Sequence, residues 1–418
     1  MEEEFQFLPG KAEAEGAVTM LTHNKVPKSE LDARLSALRA ALTARDPAWE
    51  MVLINNKISL YYLTGTMQDG VLVITPTEAT FWVRRYFPRA QEESLFGDLR
   101  PMKSFRVLEG SYSVPACAYL ECKTASLEWL GMVRKYLPFA DYKNISPILA
   151  DLRAHKSAYE LDCMRRAGAI HAEVLERVTP GLLREGVSEA VLCADIYRAF
   201  LERGAMGISR FNQLLGEDVA GLCAFSENGL RVTAFDGPDG NAGTCIAMPA
   251  IGDNRRLLQE GDLVLLDIPS GVDGYHTDKS VVYFYGDLDR HPAADRIRRA
   301  YAFCAEFERK VAERMVPGAI PEEIFLELWP TIPTEFAEGF MNGGKFLAHS
   351  IGLVMDEAPV IARGFKAPLE AGMTFACEPK IALPGVGVVG TENTYEIVAQ
   401  GAARSLTGNI LDLQCIRE

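Results

Sequence analysis

Long hydrophobic runs are missing from this chain: in 418 residues no apolar stretch approaches the roughly 20 residues of a membrane span, and no low-complexity tract interrupts it. The N-terminal stretch MEEEFQFLPGKAEAEG is acidic and lacks the basic-then-apolar pattern of a secretory signal, so export is not expected. Nine cysteines, odd in number and without close pairing, give no disulfide framework. They fit a reducing, cytoplasmic compartment, most of them as small buried hydrophobes. Net positive charge is lacking too, and a formal charge of -14 disfavours nucleic acid and anionic membranes as partners. Histidine is scarce, six in all, and no cysteine–histidine cluster has zinc-finger spacing. What remains is the composition of an ordinary soluble enzyme, in a chain long enough for two or three domains and a large core.

Residues 1–150 read as an α/β module. Ser29 with Asp32 gives a capping-box-like start, and Leu31, Leu35, Leu38 and Leu42 recur at helical spacing. MVLINN, YYLTGT, GVLVITP and ATFWVRR follow as short strands with turn residues between them. The module carries no catalytic cluster of its own. Near Ile145 to Lys156 the pattern changes to longer helices, so a second domain is placed at residues 151–418. Ser157 and Glu160 form another capping box, ahead of Leu161, Met164, Ala167, Ile170 and Val174 on one helical face. A helix from about Ser188 to Glu202 comes next. Val178-Thr179-Pro180-Gly181 and Val316-Pro317-Gly318 punctuate two helix pairs, each eventually followed by an acid-bearing hairpin, the pattern of a duplicated half-domain.

The two hairpins carry the chemistry. In GDLVLLDIPSGVDGYHTDKSVVYFYG, strands LVLLD and TDKSVVYFY flank the turn Gly271-Val272-Asp273-Gly274. A turn centred between Val272 and Asp273 sets Asp267 directly opposite Asp278. In MTFACEPKIALPGVGVVGTENTYEIV, a turn centred on Gly385 sets Glu378 opposite Glu392. Like charges facing each other at Cβ separations of about 5 Å are destabilising, so such pairs imply a cation between them. His349, in the glycine-punctuated FLAHSIGL between the hairpins, supplies an imidazole. Four carboxylates and one imidazole make a hard-to-borderline donor set suited to a pair of divalent ions such as Mn²⁺, Fe²⁺, Co²⁺ or Zn²⁺. Cys377, next to Glu378, falls on the opposite face by strand alternation.

These five residues, in the motifs LVLLDIPSGVDGYHTD, AHSIGL with EAP, GMTFACEP and TENTYEIV, resemble the metal ligands of the methionine aminopeptidase and prolidase family. The N-terminal run Asn55-Asn56 to Gly65 is similar to the matching domain of the aminopeptidase P, prolidase and creatinase branch. The resemblance covers about residues 28 to 402. It implies an α+β chain: an N-terminal α/β creatinase-like domain followed by a C-terminal pita-bread domain. It further implies that Asp267 binds one metal, that His349 and Glu378 bind the other, and that Asp278 and Glu392 bridge them. Two such ions activate a shared water, with manganese a candidate metal, and the hydroxide attacks an amide carbonyl while Glu378 handles the proton. The implied activity is Xaa-Pro aminopeptidase or dipeptidase, on a short peptide, in a homodimer. All five ligand positions are filled, which sets the chain apart from metal-free creatinase.

Two departures bear on substrate. The resembled peptidases carry a histidine in the stretch aligned with GTCIAMPAIGDNRR, where this chain has none, and another seven residues beyond the ligand histidine, where it has Asp356. Those histidines help bind substrate and stabilise the tetrahedral intermediate. Asp356 favours a cationic group on the substrate, unless it pairs instead with a nearby base such as Lys380. Two other readings keep the scaffold. One is metal-dependent chemistry on a small non-peptide compound, as in ectoine hydrolase or dimethylsulfoniopropionate lyase, although Pro269 stands where that lyase has an extra metal aspartate. The other is a non-catalytic binding relative.

Overall fold

The structure, a computed structural model, describes residues 24–211, 217–232, 237–410 and 412–417. The acidic stretch at residues 1–16 lies outside the described residues.

The N-terminal domain opens with the helix Lys28–Arg45, which buries Leu31, Leu38 and Leu42 and leaves Leu35 half-buried. Its start differs from the sequence expectation. The helix begins one residue before Ser29, the N-cap is Pro27 without a side-chain cap, and Asp32 pairs with Lys28 at 2.6 Å. The run YYLTGT, expected as a strand, belongs to the helix Lys57–Thr64. Asn56 Oδ1 accepts from the backbone N–H of Ile58 (2.9 Å) and Ser59 (3.2 Å), and Gly65 ends the helix in the left-handed region at φ 74°. A capped start and a glycine stop outweigh the β-preference of the two tyrosines. The other three strands form as expected, within a six-stranded sheet ordered 99–101, 79–83, 70–74, 51–54, 117–120, 141–144.

The helix Ala158–His171 carries the expected capping box, with both the Ser157 and Glu160 side-chain bonds formed. Glu160 is also buried beside the N-terminal domain: Arg34 Nη2 lies 3.2 Å from its Oε1 and donates to Tyr275 Oη at 2.7 Å, and Tyr275 donates to Glu160 at 2.8 Å. This network ties the first helix to the turn end of the first hairpin. Ser188 caps the helix Glu189–Glu202 through Val191 N. The second helix pair is Ala294–Arg314 and Pro321–Leu328.

Between these helices lie a four-stranded sheet ordered 414–416, 280–285, 262–267, 222–225 and a five-stranded sheet ordered 357–360, 349–350, 374–377, 393–396, 404–405. Strand alternation splits the first sheet cleanly. Leu263, Leu265, Val282 and Phe284 share a core with helix 294–314, while Val264, Leu266, Val281 and Tyr283 share another with helix 189–202. Each such fully buried side chain contributes about 1.5–3 kcal/mol, which is why both strands read as unbroken apolar runs. Of the nine cysteines, Cys163, Cys193, Cys223, Cys304 and Cys377 are buried, with Cys377 in the core facing helix 294–314, as alternation requires. Among the described residues no helix is long and apolar enough to cross a membrane.

The first hairpin has a different register from the one expected. Its turn centres on Asp273-Gly274, with φ of 50° and 91°, so Val272 pairs with Tyr275 and Asp267 lies opposite Ser280, not opposite Asp278. A two-residue hairpin turn needs left-handed backbone at both central positions; Asp-Gly supplies it and β-branched Val272 does not. Moving the turn centre by one residue moves the partner by two, which preserves the face, so Asp267 and Asp278 still point the same way. The second hairpin has the expected register. Lys380 pairs with Gly390 and Leu383 with Gly387 on the turn side, and Thr374 pairs with Glu396 and Cys377 with Asn393 beyond, so Glu378 and Glu392 fall opposite one another between the two ladders.

Candidate metal centre

The two hairpins bring Asp267, Asp278, Glu378 and Glu392 together, and the short strand His349–Ser350, which pairs with 374–377, adds His349 beside Glu378. Within this cluster, ligand atoms of Asp278, His349 and Glu392 lie within 4.8 Å of one another, as do those of Asp267, Glu378 and Glu392. The hairpins are stitched directly: Thr394 Oγ1 accepts from Asp278 N at 2.8 Å, and Ser280 Oγ donates to Glu392 Oε2 at 2.5 Å.

Lys380 and Asp239 are members of the cluster that sequence reasoning missed. Lys380 is fully buried, and its Nζ lies 2.7 Å from Asp267 Oδ2, 2.9 Å from Glu378 Oε2 and 3.2 Å from Glu392 Oε2. Asp239 Oδ2 stands 3.6 Å away. Lys380 therefore does not pair with Asp356, the partner considered from the sequence. A signal was present, since Lys380 follows Glu378 by two residues and strand alternation puts both on one face. Asp239 comes from a glycine-rich connection, GPDGNAG, where no periodicity announces a buried acid.

Burial dominates the electrostatics. It pushes Asp278 well above the usual carboxylate range, helped by the charges of Asp267 and Glu378, and it does the same to Glu392, helped by Asp278. Asp239 is raised well above its usual range, again by burial first. Glu378 is raised by burial even though Lys380 and His349 oppose the shift. Asp267 goes the other way: burial works against its charge, but Lys380 beside it wins and holds it below the ordinary value. Burial likewise works against the Lys380 ammonium, and Asp267, Glu392 and Glu378 outweigh it, keeping the group charged.

The two ligand groups differ in their fit to a cation. In the first, His349 turns Nε2 toward Glu378 Oε1 (3.6 Å), and its Nδ1 faces Ser350 O (3.2 Å) and Asp356 Oδ1 (3.5 Å). Such a carboxylate–imidazole contact orients the ring of a ligand histidine. Glu392 Oε1 is buried and has no hydrogen-bond partner among the described residues, a costly state that an ion in this group would relieve. In the second group, Asp267, Glu378 and Glu392 each already face the Lys380 ammonium.

A cavity opens onto the cluster, walled by Asp267, Asp278, His349 and Glu378 and also by Phe211, Leu222, Pro249, Ala250, Met355 and Asp356. The stretch GTCIAMPAIGDNRR, which has no histidine, contributes Pro249 and Ala250, both without hydrogen-bonding side chains. Asp356 is half-exposed, with 43% of its side chain accessible.

Comparison with known proteins agrees with this architecture. Residues 34–166 match the creatinase/prolidase N-terminal domain, and residues 162–399 match metallopeptidase family M24. The "Probable dipeptidase PepE" of Mycobacterium tuberculosis is 30% identical over 277 residues, covering 64% of this chain and 63% of that protein. The chain thus spans a little under two thirds of the length of that relative. The Xaa-Pro dipeptidase of Pyrococcus furiosus is 22% identical over 370 residues, covering 85% and 92%. Among solved structures, the Xaa-Pro dipeptidase from Bacillus anthracis superposes with a TM-score of 0.75 at 20% identity, over 92% of this chain and 99% of that one. Dipeptidase PepE from Mycobacterium ulcerans does so at 0.74 and 22%, over 94% and 100%. With the M24 match spanning more than half its length and a creatinase-type domain ahead of it, the chain belongs to metallopeptidase family M24.

Proposed function

We propose that this protein is a metal-dependent hydrolase of the Xaa-Pro dipeptidase type, acting on a short peptide or comparable small amide. One observation carries the reading: the convergence of Asp278, His349 and Glu392, the first two on the wall of a cavity, with Glu392 Oε1 buried behind them and without a hydrogen-bond partner among the described residues. These three residues would hold a divalent ion, with Mn²⁺, Fe²⁺, Co²⁺ and Zn²⁺ all compatible with the donor set. When bound, such an ion lowers the pKa of water toward neutrality and polarises a carbonyl oxygen. The two-ion centre that the resemblance implies needs a second ion among Asp267, Glu378 and Glu392, where Lys380 lies.

The chain's own residues supply the rest. Glu378, on the cavity wall with its carboxyl raised by burial, takes a proton from the attacking water and passes it to the leaving amine. His349 is kept in orientation by Ser350 O and Asp356. Phe211, Leu222, Pro249 and Met355 exclude water around an apolar residue such as proline. Asp356, at the half-exposed end, receives a cationic group, and a dipeptide's α-ammonium meets that requirement. The domain division falls near residue 150, with the N-terminal domain buttressing the first hairpin through Arg34.

The test is turnover by protein reconstituted separately with each of the four metals. Release of proline from Xaa-Pro dipeptides, abolished by chelator and by Asp278→Ala, is the expected result. Failure to cleave any dipeptide by protein that demonstrably binds metal would refute the peptidase reading. Pro249, Ala250 and Asp356 in place of polar imidazoles favour a second reading, a small cationic non-peptide amide, and selective hydrolysis of such a compound would establish it.

A further inference from the structure

We propose that Lys380 is a built-in cation that takes the place of one of the two divalent ions, so that this chain binds a single ion, at Asp278, His349 and Glu392. The inference rests on reading the cluster as a metal centre and is independent of the substrate.

Backbone register puts Lys380 there. The ladders on either side of Glu378 share one register without a bulge, so alternation aims residues 378 and 380 at the same face whatever rotamer the lysine takes. Its cross-strand partner is Gly390, where a Cβ would come within 2.6 Å of Lys380 Cγ; the missing side chain is the space through which the lysine stem passes. At the end of that stem are three carboxylate oxygens from three residues, at 2.7, 2.9 and 3.2 Å. An ammonium has three N–H donors and no acceptor, so this ring satisfies it completely.

The same geometry excludes an ion. A divalent metal holds carboxylate oxygens at roughly 2.0–2.2 Å. One bound by Asp267, Glu378 and Glu392 would need the volume that Nζ fills, and a protonated amine has no lone pair with which to become a ligand. Lys380 is also fully buried, and its one further acidic neighbour among the described residues is Asp239 at 3.6 Å. The remaining group stays available: Glu392 turns Oε2 to Lys380 and Ser280 and leaves Oε1 unpartnered. The consequence is an asymmetric centre, with one exchangeable ion beside one fixed positive charge that donates hydrogen bonds but offers no open coordination position.

The experiment is Mn²⁺ stoichiometry by elemental analysis after dialysis, with electron paramagnetic resonance of the same samples, on wild type and Lys380→Gly. One ion per chain with the spectrum of an isolated Mn²⁺ is expected for wild type, rising to two ions with an exchange-coupled spectrum in Lys380→Gly. Two coupled ions in the wild type would mean that Lys380 withdraws to Asp239, and would overturn the inference while leaving the metal centre intact. A variant that still holds one ion would also overturn it, because something other than Lys380 would then be excluding the second. No ion in either protein would overturn the metal-centre reading and this inference with it. Should Lys380→Gly not fold, the wild-type count and spectrum decide alone.

Discussion

The two hairpins deliver the same kind of side chain by different means. The first carries Asp267 and Asp278 around a weak point: Pro269 has no N–H to offer across the ladder, and the strand on the other side is interrupted at Asp278-Lys279. The second keeps one register through Glu378-Pro379 and carries a lysine with its acids. Burial follows the same division, since 18% of the Asp267 side chain is accessible but only 1% of Glu392. The first hairpin therefore presents acids to the cavity, and its shape has to be held from outside. The second turns Glu378 to the cavity wall but leaves only 7% of it and 1% of Glu392 accessible, and a carboxylate pair so buried needs its compensating charge within the fold itself.

That contrast is broken most severely at Lys380. With chelator present, Lys380→Met should lose about 3–5 kcal/mol of unfolding free energy, the cost of removing one partner from a buried ionic cluster. Denaturant titration measures it, and a loss below about 1 kcal/mol would mean that the acids do not depend on the lysine. One external support of the first hairpin is His171, whose ring nitrogens contact Ile268 O at 2.5 Å and Thr277 Oγ1 at 2.9 Å, on either side of the weak point. Burial pushes His171 down to about 3, so it is neutral when folded, whereas the unfolded chain takes up the proton near the ordinary value of 6.5. Its contribution is thus whole above pH 6.5 and is lost as pH falls toward 3, with a size on the order of a few kcal/mol. Stability of His171→Asn should vary less steeply with pH than wild type across that window; parallel curves would remove His171 from the account.

Gly390→Ala sharpens the comparison from the opposite strand, because the new Cβ would meet Pro379 O at 2.5 Å as well as the lysine stem. A loss of about 1–3 kcal/mol, typical of overpacking, is expected by thermal unfolding, and an unchanged Tm would show that Lys380 has room to move. Asp356→Asn gives the smallest effect. It should lower kcat/KM several-fold for cationic substrates and less for neutral analogues of the same shape, with metal content near wild type. Equal losses on both substrates would leave Asp356 with orienting His349 as its sole role.

How far the sequence could be read follows the same line. The second hairpin was legible to the residue because Gly385 centres a symmetric turn and no bulge intervenes, so opposing Glu378 and Glu392 needed only counting. The first is legible only in its facing: two glycines bracket Val272-Asp273 and suggest a turn one residue before the observed centre, which the Asp-Gly pair favours. YYLTGT misleads because the tyrosines suggest a strand, while the cap, Asn56, lies five residues before the run and the stop, Gly65, lies within it. Asp239 was hidden for a different reason. It reaches the cluster from an irregular connection, and only tertiary packing brings it within 3.6 Å of Lys380.

The proposed centre is asymmetric, one ion held by Asp278, His349 and Glu392 beside a lysine held by Asp267, Glu378 and Glu392. A crystal structure of the Mn²⁺-soaked protein, with anomalous differences collected at the manganese edge, tests it most directly. The account predicts one anomalous peak, bonded to His349 Nε2 and to carboxylate oxygens of Asp278 and Glu392, with Lys380 Nζ still between Asp267 and Glu378. Two peaks about 3.5–4 Å apart, the spacing of a two-metal site, with the lysine displaced, would contradict it.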